Sequence, residues 1–437
     1  VPSSLSLFTD GQSDFAEALG LLARRGDTDL DRVEAVVREI LHDVRSGGDA
    51  AVLRYVERFE QRKPSPLLIR DYGGAEALAA LPGELAEALT VAAARIRRYH
   101  EHQKKQLETF EYVEEGVTLS SRVTAVQRAG IYAPGGKACY PSSVLMCAVP
   151  AQVAGVNEIY LASPDTSVEV RAACHLAGVT ALIDFGGAQA IAAMAYGTES
   201  IPAVDKIVGP GNIYVAAAKR LVFGQVDIDS IAGPSEILVL ADDTANPEVV
   251  AADLLSQAEH DEDAYALLIT IGSEMALGVD AAVRRQLAAL PELDSRGRKR
   301  RAIAEESIER HGTALVVGSV ERLIELSNVL AAEHVSIQMR DARQVADRIT
   351  RAGALFVGHN TPEAAGDYLA GPSHVLPTGG AARYGAPLGV YDFVSRSSLI
   401  SYELEALAQQ ADHITTFARA EGLEAHARAV EVRLPKK

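Results

Sequence analysis

The sequence predicts an α/β protein built as two αβ lobes with a cleft between them, plus small helical segments at the two ends. Three observations lead there. At 437 residues the chain is too long for one hydrophobic core. From Ala129 onward, short β-rich runs alternate with helical segments, and each run ends in a glycine- or proline-rich turn. Two such series follow one another, one over residues 130–208 and one over 236–357.

The N-terminal third reads as helical. Val33, Val36, Val37, Ile40, Leu41 and Val44 recur at three and four, and Gly47-Gly48 is expected to end that helix. A second helix carries Leu85, Leu89, Ala92, Ile96 and Tyr99 on one face. Its His100 and His102, two apart, point to different sides and read as solvated. The first β series comprises runs at 130–133, 158–162, 181–185 and 206–208. They end at Pro134-Gly135-Gly136-Lys137, Ser163-Pro164, Gly186-Gly187-Ala188-Gln189 and Gly209-Pro210-Gly211-Asn212. Parallel sheets bind ligands beyond the carboxyl ends of their strands, and glycine turns there let backbone N–H groups approach a phosphate. The second series has runs at 236–240, 266–271, 314–317, 335–339 and 354–357, with a basic stretch at 296–301 expected on a solvated face or loop. The C-terminal stretch returns to helix.

Lys and Arg number 42 against 59 Asp and Glu, a net charge of −17 that argues against nucleic acid and anionic membranes as partners. No apolar run approaches the roughly 20 residues a bilayer span requires, and residues 1–10 lack the pattern of a secretory leader. Cys139, Cys147 and Cys174 are odd in number and lack Cys-x-x-Cys spacing, which fits a reducing, cytoplasmic setting and small buried side chains.

The segment Ser256-Gln257-Ala258-Glu259-His260 closes a helix whose start is also legible, with Asn246 as N-cap and Pro247 in the first position. Gln257 and His260, three apart, can reach one point in space, and an imidazole beside an amide oxygen is half of a divalent-metal site. Glu333-His334 lies immediately before an apolar strand, Asp367 in Gly366-Asp367-Tyr368, and His374 in a Gly371-Pro372-Ser373-His374 turn; Glu421 and His426 lie near the C-terminus. Gln257, His260, Asp367 and His426 make a plausible mixed N/O zinc set, leaving Glu333-His334 as an acid–base pair. By the dinucleotide fingerprint alone, Gly209-Pro210-Gly211-Asn212 is a weak nicotinamide signal, because the third glycine of G-x-G-x-x-G is missing.

Taken together and in order, Ile131 to Lys137, Gly186 to Ala190, Gly209 to Asn212, Ala232 to Glu236, Ser256 to His260, Glu333-His334, Gly366 to Tyr368 and His374 to Thr378 resemble the motifs of histidinol dehydrogenases. The resemblance runs from about Val33 to Leu434. It implies a zinc- and NAD-dependent four-electron oxidation of L-histidinol, through an enzyme-held aldehyde, to L-histidine. It implies zinc ligands Gln257, His260, Asp367 and His426, the last from the partner subunit of an intertwined homodimer. It further implies NAD contacts at Tyr132, Gln189 and Asn212, and a catalytic pair Glu333 and His334. Substrate contacts would be Ser235, His374 and Glu421, together with the metal ligands and the catalytic pair.

The implied fold is two incomplete Rossmann-like lobes. Residues 27–131 and 237–388 would form the first, with metal and catalytic residues, and 132–236 the second, on the NAD side. A helical arm, 1–26, would precede them, and a helical segment, 389–437, would reach the partner. Adjacent residues on an extended segment point to opposite faces, so an irregular backbone is expected before Glu333-His334. Three departures from the family pattern stand out: Ala332 in place of a usual proline, Ser373 and Cys147 each in place of a frequent asparagine. Competing readings are a paralogous dehydrogenase of another amino alcohol or a sulfonated diol, a zinc hydrolase using Glu333 to activate water, and a catalytically inert scaffold. The intact Pro134-Gly135-Gly136-Lys137 and Gly366-Asp367-Tyr368 motifs speak against the first, and retention of every expected ligand against the last.

Overall fold

The computed structural model describes residues 4–26, 30–107, 109–135, 140–294 and 297–435. Three sheets organise it. The first is parallel throughout, in the order Ser6–Thr9, Thr313–Val317, Tyr265–Ile271, Glu236–Ala241, His334–Gln338, Ala354–Val357. The second runs Leu68–Ile69, Ala181–Ile183, Glu158–Ala162, Arg128–Tyr132, Lys206–Val208, Asp227–Ile228, parallel except for its first, antiparallel edge strand. Each sheet therefore changes winding direction at its middle, between Glu236–Ala241 and His334–Gln338 in one and between Arg128–Tyr132 and Lys206–Val208 in the other.

All nine strands of the two expected series are present, within two residues at each end. They are legible because both faces of these strands are covered, so they read as continuous apolar runs rather than alternating ones. Leu238, Leu240, Leu267 and Ile269 point into one core cluster, and Ile237, Val239, Ala266 and Leu268 into another on the opposite face.

The expected boundary between the lobes is corrected. The helices Asp31–Glu60, Gly74–Ala80 and Gly83–Lys104 pack on the second sheet, not the first. Val37, Val44 and Val52 join Tyr160, Ile191 and Ala217 in one core, and Leu89 and Ile96 join Ile131, Leu145 and Val149 in another. Spacing reveals that a helix has an apolar face; it does not say which sheet receives it. The N-terminal arm is likewise not purely helical. Ser6–Thr9 adds an edge strand beside Thr313–Val317, and Phe15 and Leu22 of the following helix enter the core of the first sheet.

Gly48 breaks the first long helix without ending it. Its backbone (φ 52, ψ −140) is open to glycine, and the helical path resumes with the Asp49 N–H donating to Glu199 at 2.7 Å. A third sheet was not anticipated: Phe110–Glu114 and Val117–Ala125 form a hairpin, and Val394–Tyr402 pairs antiparallel along the latter. The hairpin turn is Glu115-Gly116, both with positive φ (48 and 75), as a two-residue turn of matching twist requires. Among the described residues, no helix is long and apolar enough to cross a membrane.

His100, read from spacing as solvated, is fully buried, with Nδ1 2.8 Å from the Ile96 carbonyl; His102 is exposed as expected. Burial pushes the His100 pKa below its ordinary 6.5. The folded state thus resists taking a proton that the unfolded chain accepts. This contribution is complete above about pH 6.5 and is lost as pH falls toward the lowered folded value, at up to ~1.4 kcal/mol per pH unit. His100→Gln removes it, so the gap in denaturant stability between parent and variant is expected to shrink from pH 8 to pH 5. Parallel stability curves would contradict the burial argument.

Candidate active site

The two lobes meet with opposite ends. The second sheet presents the carboxyl ends of its strands, where Tyr132 ends one strand and Gly209 follows another. The first sheet presents amino ends, since Glu236 and His334 are the first residues of their strands. The rule placing ligands at carboxyl ends therefore holds for one lobe only. Contacts bridge the lobes here: Ser143 Oγ is 3.4 Å from His374 Nε2, Ser373 Oγ donates to the Met146 carbonyl at 3.2 Å, and Arg300 reaches the Tyr140 hydroxyl at 3.4 Å.

Glu333 and His334 are both buried and converge on a single residue, Glu236. The Glu236 N–H donates to Glu333 Oε2 at 2.9 Å, and the Glu236 carbonyl lies 3.0 Å from His334 Nδ1. A carbonyl only accepts, so Nδ1 carries the hydrogen and Nε2 of the neutral ring is left as a base. The expected backbone irregularity is found two residues upstream, where Ala331 is left-handed (φ 46). Ala332, at the position of the usual proline, is fully buried, and its carbonyl accepts from the Gly353 N–H at 3.0 Å. Gly353 passes so close to the Glu333 carbonyl that a Cβ would collide with it. Burial, reinforced by the Glu236 carboxylate, raises the Glu333 pKa well above the usual carboxylate range. Burial lowers that of His334 to about 4, so its ring is neutral near pH 7.

Asn246 caps the Pro247–Ala258 helix as expected, its side chain accepting from the Glu248 N–H at 3.0 Å. Gln257 sits in the last turn, buried, with neither side-chain polar atom partnered. His260 lies just past the helix end with an exposed ring, its N–H donating to the Gln257 carbonyl at 3.1 Å. Arg300 corrects the expectation of a solvated basic run: its half-buried guanidinium donates to the Glu259 carbonyl at 2.8 Å and so fastens this turn. Arg296 lies outside the described residues.

Asp367 and Glu363, four apart on the short helix Glu363–Tyr368, face the same centre. Ligand atoms of His334, Glu363 and Asp367 lie within 4.8 Å of one another, and Glu363 Oε1 is 3.6 Å from His334 Nε2. Burial, then the Asp367 charge, raises the Glu363 pKa to about 8. His374 approaches the Asp367 carbonyl through Nδ1 at 3.1 Å, and burial lowers its pKa. The charge of His260 acts on both His334 and His374. Asp367, Glu333, His334 and His374 thus gather in one region that the charge of His260 reaches, and Gln257 follows Ser256, whose hydroxyl donates to Glu363 at 3.2 Å.

Ser235, half-buried, directly precedes Glu236, and its carbonyl accepts from the Tyr265 N–H at 3.0 Å. Glu421 and His426 do not join them: both are exposed on the terminal helical pair. Sequence reasoning missed Glu363, Ser143 and Glu236. For Glu363 a signal existed in its i, i+4 spacing to Asp367.

On the second lobe, the glycine turns are braced by the protein itself. Gly186 N–H donates to Glu60 Oε1 at 2.9 Å and Gly187 N–H to the Tyr132 hydroxyl at 3.1 Å, so these donors are already engaged and a phosphate would meet the Glu60 carboxylate. Gln189, buried, follows in the same turn. Asn212 accepts from the Tyr214 and Val215 N–H groups and caps its helix. Lys219 and Asp229 form a buried ion pair around the Gly209 peptide, whose carbonyl accepts from Lys219 at 3.0 Å and whose N–H donates to Asp229 at 2.7 Å. Gly136, Lys137 and Cys139 lie outside the described residues; Cys147 and Cys174 are buried free thiols, as expected of small core side chains.

The sequence profile of the histidinol dehydrogenases matches residues 23–434. The chain belongs to the histidinol dehydrogenase family. The histidinol dehydrogenase of Syntrophotalea carbinolica is 50% identical over 436 residues, 98% of this chain and 99% of that one. That of Geobacillus kaustophilus is 48% identical over 420 residues, covering 95% and 97% of the two chains. The crystal structure of the histidinol dehydrogenase from Elizabethkingia anophelis superposes with a TM-score of 0.90 at 33% identity, over 99% of this chain and 98% of that chain. The activity is accordingly that of an NAD-dependent oxidoreductase acting on histidinol in histidine biosynthesis.

Among histidinol dehydrogenase loops, the one at Gly209 offers a sharp test. At φ 110, a Cβ here would fall onto the Tyr132 carbonyl oxygen. Gly209→Ala is expected to cost about 2–3 kcal/mol of stability and to raise KM for NAD on the order of tenfold. Melting and steady-state kinetics check both; a parent-like KM would sink the link to NAD.

Proposed function

We propose that Glu333 and His334 carry both oxidations of L-histidinol on this chain, His334 as the base at the reacting hydroxyl and Glu333 as the group that orients water. The single observation that supports this most is the convergence of the pair on the Glu236 peptide. It fixes the His334 tautomer and leaves Nε2 as the free acceptor. His334 Nε2 takes the alcohol proton as hydride leaves for NAD⁺, producing an aldehyde kept inside the cleft. Glu333, buried and with a raised pKa, positions a water on that aldehyde. Once Nε2 has released its first proton, the resulting gem-diol gives it a second one and passes a second hydride to a second NAD⁺, yielding the carboxylic acid of histidine, which ionises to the carboxylate by losing its own proton to water. Glu363, 3.6 Å from Nε2, is placed to pass the proton onward.

The donor set fits zinc. Gln257 offers a buried, unpartnered amide oxygen, Asp367 supplies a carboxylate clustered with His334 and Glu363, and the His260 imidazole lies near enough for its charge to act on His334 and His374. Gln257, His260 and Asp367, with His426 of the partner subunit, would hold the ion. When bound, zinc supplies a positive anchor for the imidazole and amine of the substrate, a positioning role. Around it, His374 is held by Asp367 and Ser143, Ser235 precedes Glu236, and Glu421 of the partner subunit would close the substrate pocket. Tyr132, Gln189 and Asn212 are the proposed NAD contacts.

A homodimer belongs to the same reading. Exposed Val113, Ile400, Phe417 and Val432 (68, 66, 70 and 77%) crowd the third sheet and the terminal helices that carry Glu421 and His426. A cytoplasmic location accords with the free thiols of Cys147 and Cys174.

The experiment is the NADH yield per L-histidinol. Two are expected from the zinc-loaded enzyme, with loss on chelation and recovery with zinc. Glu333→Gln is expected to form the aldehyde but stall before the second NADH, and His334→Gln to lower kcat about 10²–10⁴-fold. Two NADH from Glu333→Gln at the parent rate would remove its water role.

A further inference from the structure

Nothing in the mechanism yet explains a buried ion pair that touches the catalytic pair only through Glu236. Arg25, at the end of the N-terminal arm, and Glu236 are each 1% exposed at the side chain. Arg25 Nε donates to Glu236 Oε2 at 2.9 Å, and a terminal nitrogen binds the same oxygen. Two further guanidinium hydrogens are also placed: one nitrogen donates to the Leu22 carbonyl at 2.9 Å and the other to the Leu330 carbonyl at 2.8 Å. The remaining carboxylate oxygen, Glu236 Oε1, accepts from the Gly379 N–H.

The partners of Arg25 are informative. Leu330 immediately precedes the left-handed Ala331, from which the chain runs into Glu333-His334. Glu236 is the residue whose N–H holds Glu333 and whose carbonyl holds His334. One guanidinium therefore ties the strand that opens with Glu236 to the segment that leads into the acid–base pair. The contact surface is shaped for it: Gly26 and Gly379 lie so close that a Cβ on either would overlap the other's backbone. Thr378, next to Gly379, accepts from the Gly233 N–H at 2.7 Å, which extends the clasp to the loop containing Ser235.

Stability alone does not call for such a pair. Desolvating two charges is costly, and apolar replacements of similar volume are often neutral or stabilising. What a guanidinium offers and a packed apolar chain does not is fixed direction, several donors in one plane. We propose that Arg25 is a positioning residue for both oxidations: through Glu236 and Leu330 it sets where the Glu236 peptide meets Glu333 and His334. This rests on the roles given above to Glu333 and His334.

The test compares Arg25→Met, Arg25→Lys and Glu236→Gln with the parent, measuring zinc per subunit, melting temperature, and kcat and KM for histidinol and for histidinaldehyde. Arg25→Met is expected to keep its zinc and a KM within about threefold of the parent, with kcat reduced about 100-fold in both oxidations, the size of effect produced by misplacing reacting groups by about an ångström. Arg25→Lys, which keeps the charge, is expected to recover at least about tenfold of that loss. A purely structural role would lower the folded, zinc-loaded fraction and leave kcat per loaded site unchanged. That result, or an Arg25→Lys no better than Arg25→Met, overturns the proposal.

If Arg25→Met does not accumulate folded, Glu236→Gln decides. It keeps the hydrogen-bond acceptor and should lower kcat about tenfold at constant KM; parent-like kcat overturns the proposal. His334→Gln and Glu333→Gln are run alongside. If they turn over like the parent, the assigned catalytic roles have failed, a result distinct from any Arg25 outcome.

Discussion

The backbone of one residue organises the candidate site of the first lobe. Glu236 opens the central strand of the first sheet and lies beside His334, which opens the next. At a strand's first residue, the N–H and C=O are not both committed to the ladder. Here the N–H goes to a carboxylate and the C=O to an imidazole. A buried backbone group left unpartnered costs about 1–3 kcal/mol, so the same contacts that satisfy the sheet edge also fix the ring and carboxylate. Catalytic geometry and fold stability are thereby coupled at one position, which is why the side chain of Glu236 is itself pinned on both oxygens.

The two lobes solve the problem of a rigid loop in parallel ways. In the second lobe, Lys219 and Asp229 grip both sides of the Gly209 peptide; in the first, Arg25 and Glu236 grip the approach to Glu333. Each ion pair is buried, and that of Arg25 with Glu236 spans elements 211 positions apart in sequence. Glycine allows the close approach, and the charged pair then limits the freedom that glycine brings. The cost is that the glycine turns no longer offer all their N–H groups to a ligand, as Glu60 and Tyr132 illustrate at Gly186 and Gly187. Dinucleotide recognition, proposed for this lobe, would therefore draw more on side chains and less on a backbone cradle than the turn sequence suggests.

Legibility in the sequence followed burial. Strands covered on both faces were read to within two residues, because a run such as Ile237-Leu238-Val239-Leu240 has few alternatives. The hairpin around Glu115-Gly116 and the strand Val394–Tyr402 were not, since their residues are mostly exposed in the single chain and carry no consistent periodicity. The Gly83–Lys104 helix was found, but His100 was misplaced, because which way a helix turns its less apolar side depends on the sheet beneath it. At the site, individual ligand types were legible and their assembly was not. Gln257 and Asp367 are 110 positions apart in sequence, and only the fold brings their helices to one centre. The roles came from the ordered motifs of the family, which carry information that spacing lacks. Arg25 fell outside both routes, and Glu236, though within the Ala232–Glu236 motif, received no role, since a charged residue whose partner is 211 positions away leaves no local trace.

Two of the buried residues with unsatisfied polar atoms belong to the candidate site. Gln257 buries an amide with no partner for oxygen or nitrogen, and Glu363 buries an unpartnered oxygen, two of the eight described residues with such orphaned atoms. Both lie where the proposed metal and substrate would sit. Meanwhile the residues that complete that site in the proposed dimer, Glu421 and His426, stand exposed on a helical pair attached to a sheet with an uncovered apolar face. Orphaned acceptors inside and unused ligands outside are complementary deficits. An assembly in which each chain's terminal helices reach its neighbour's cleft removes both at once, and it makes completion of the active site depend on burial of the same apolar surface that would hold the subunits together.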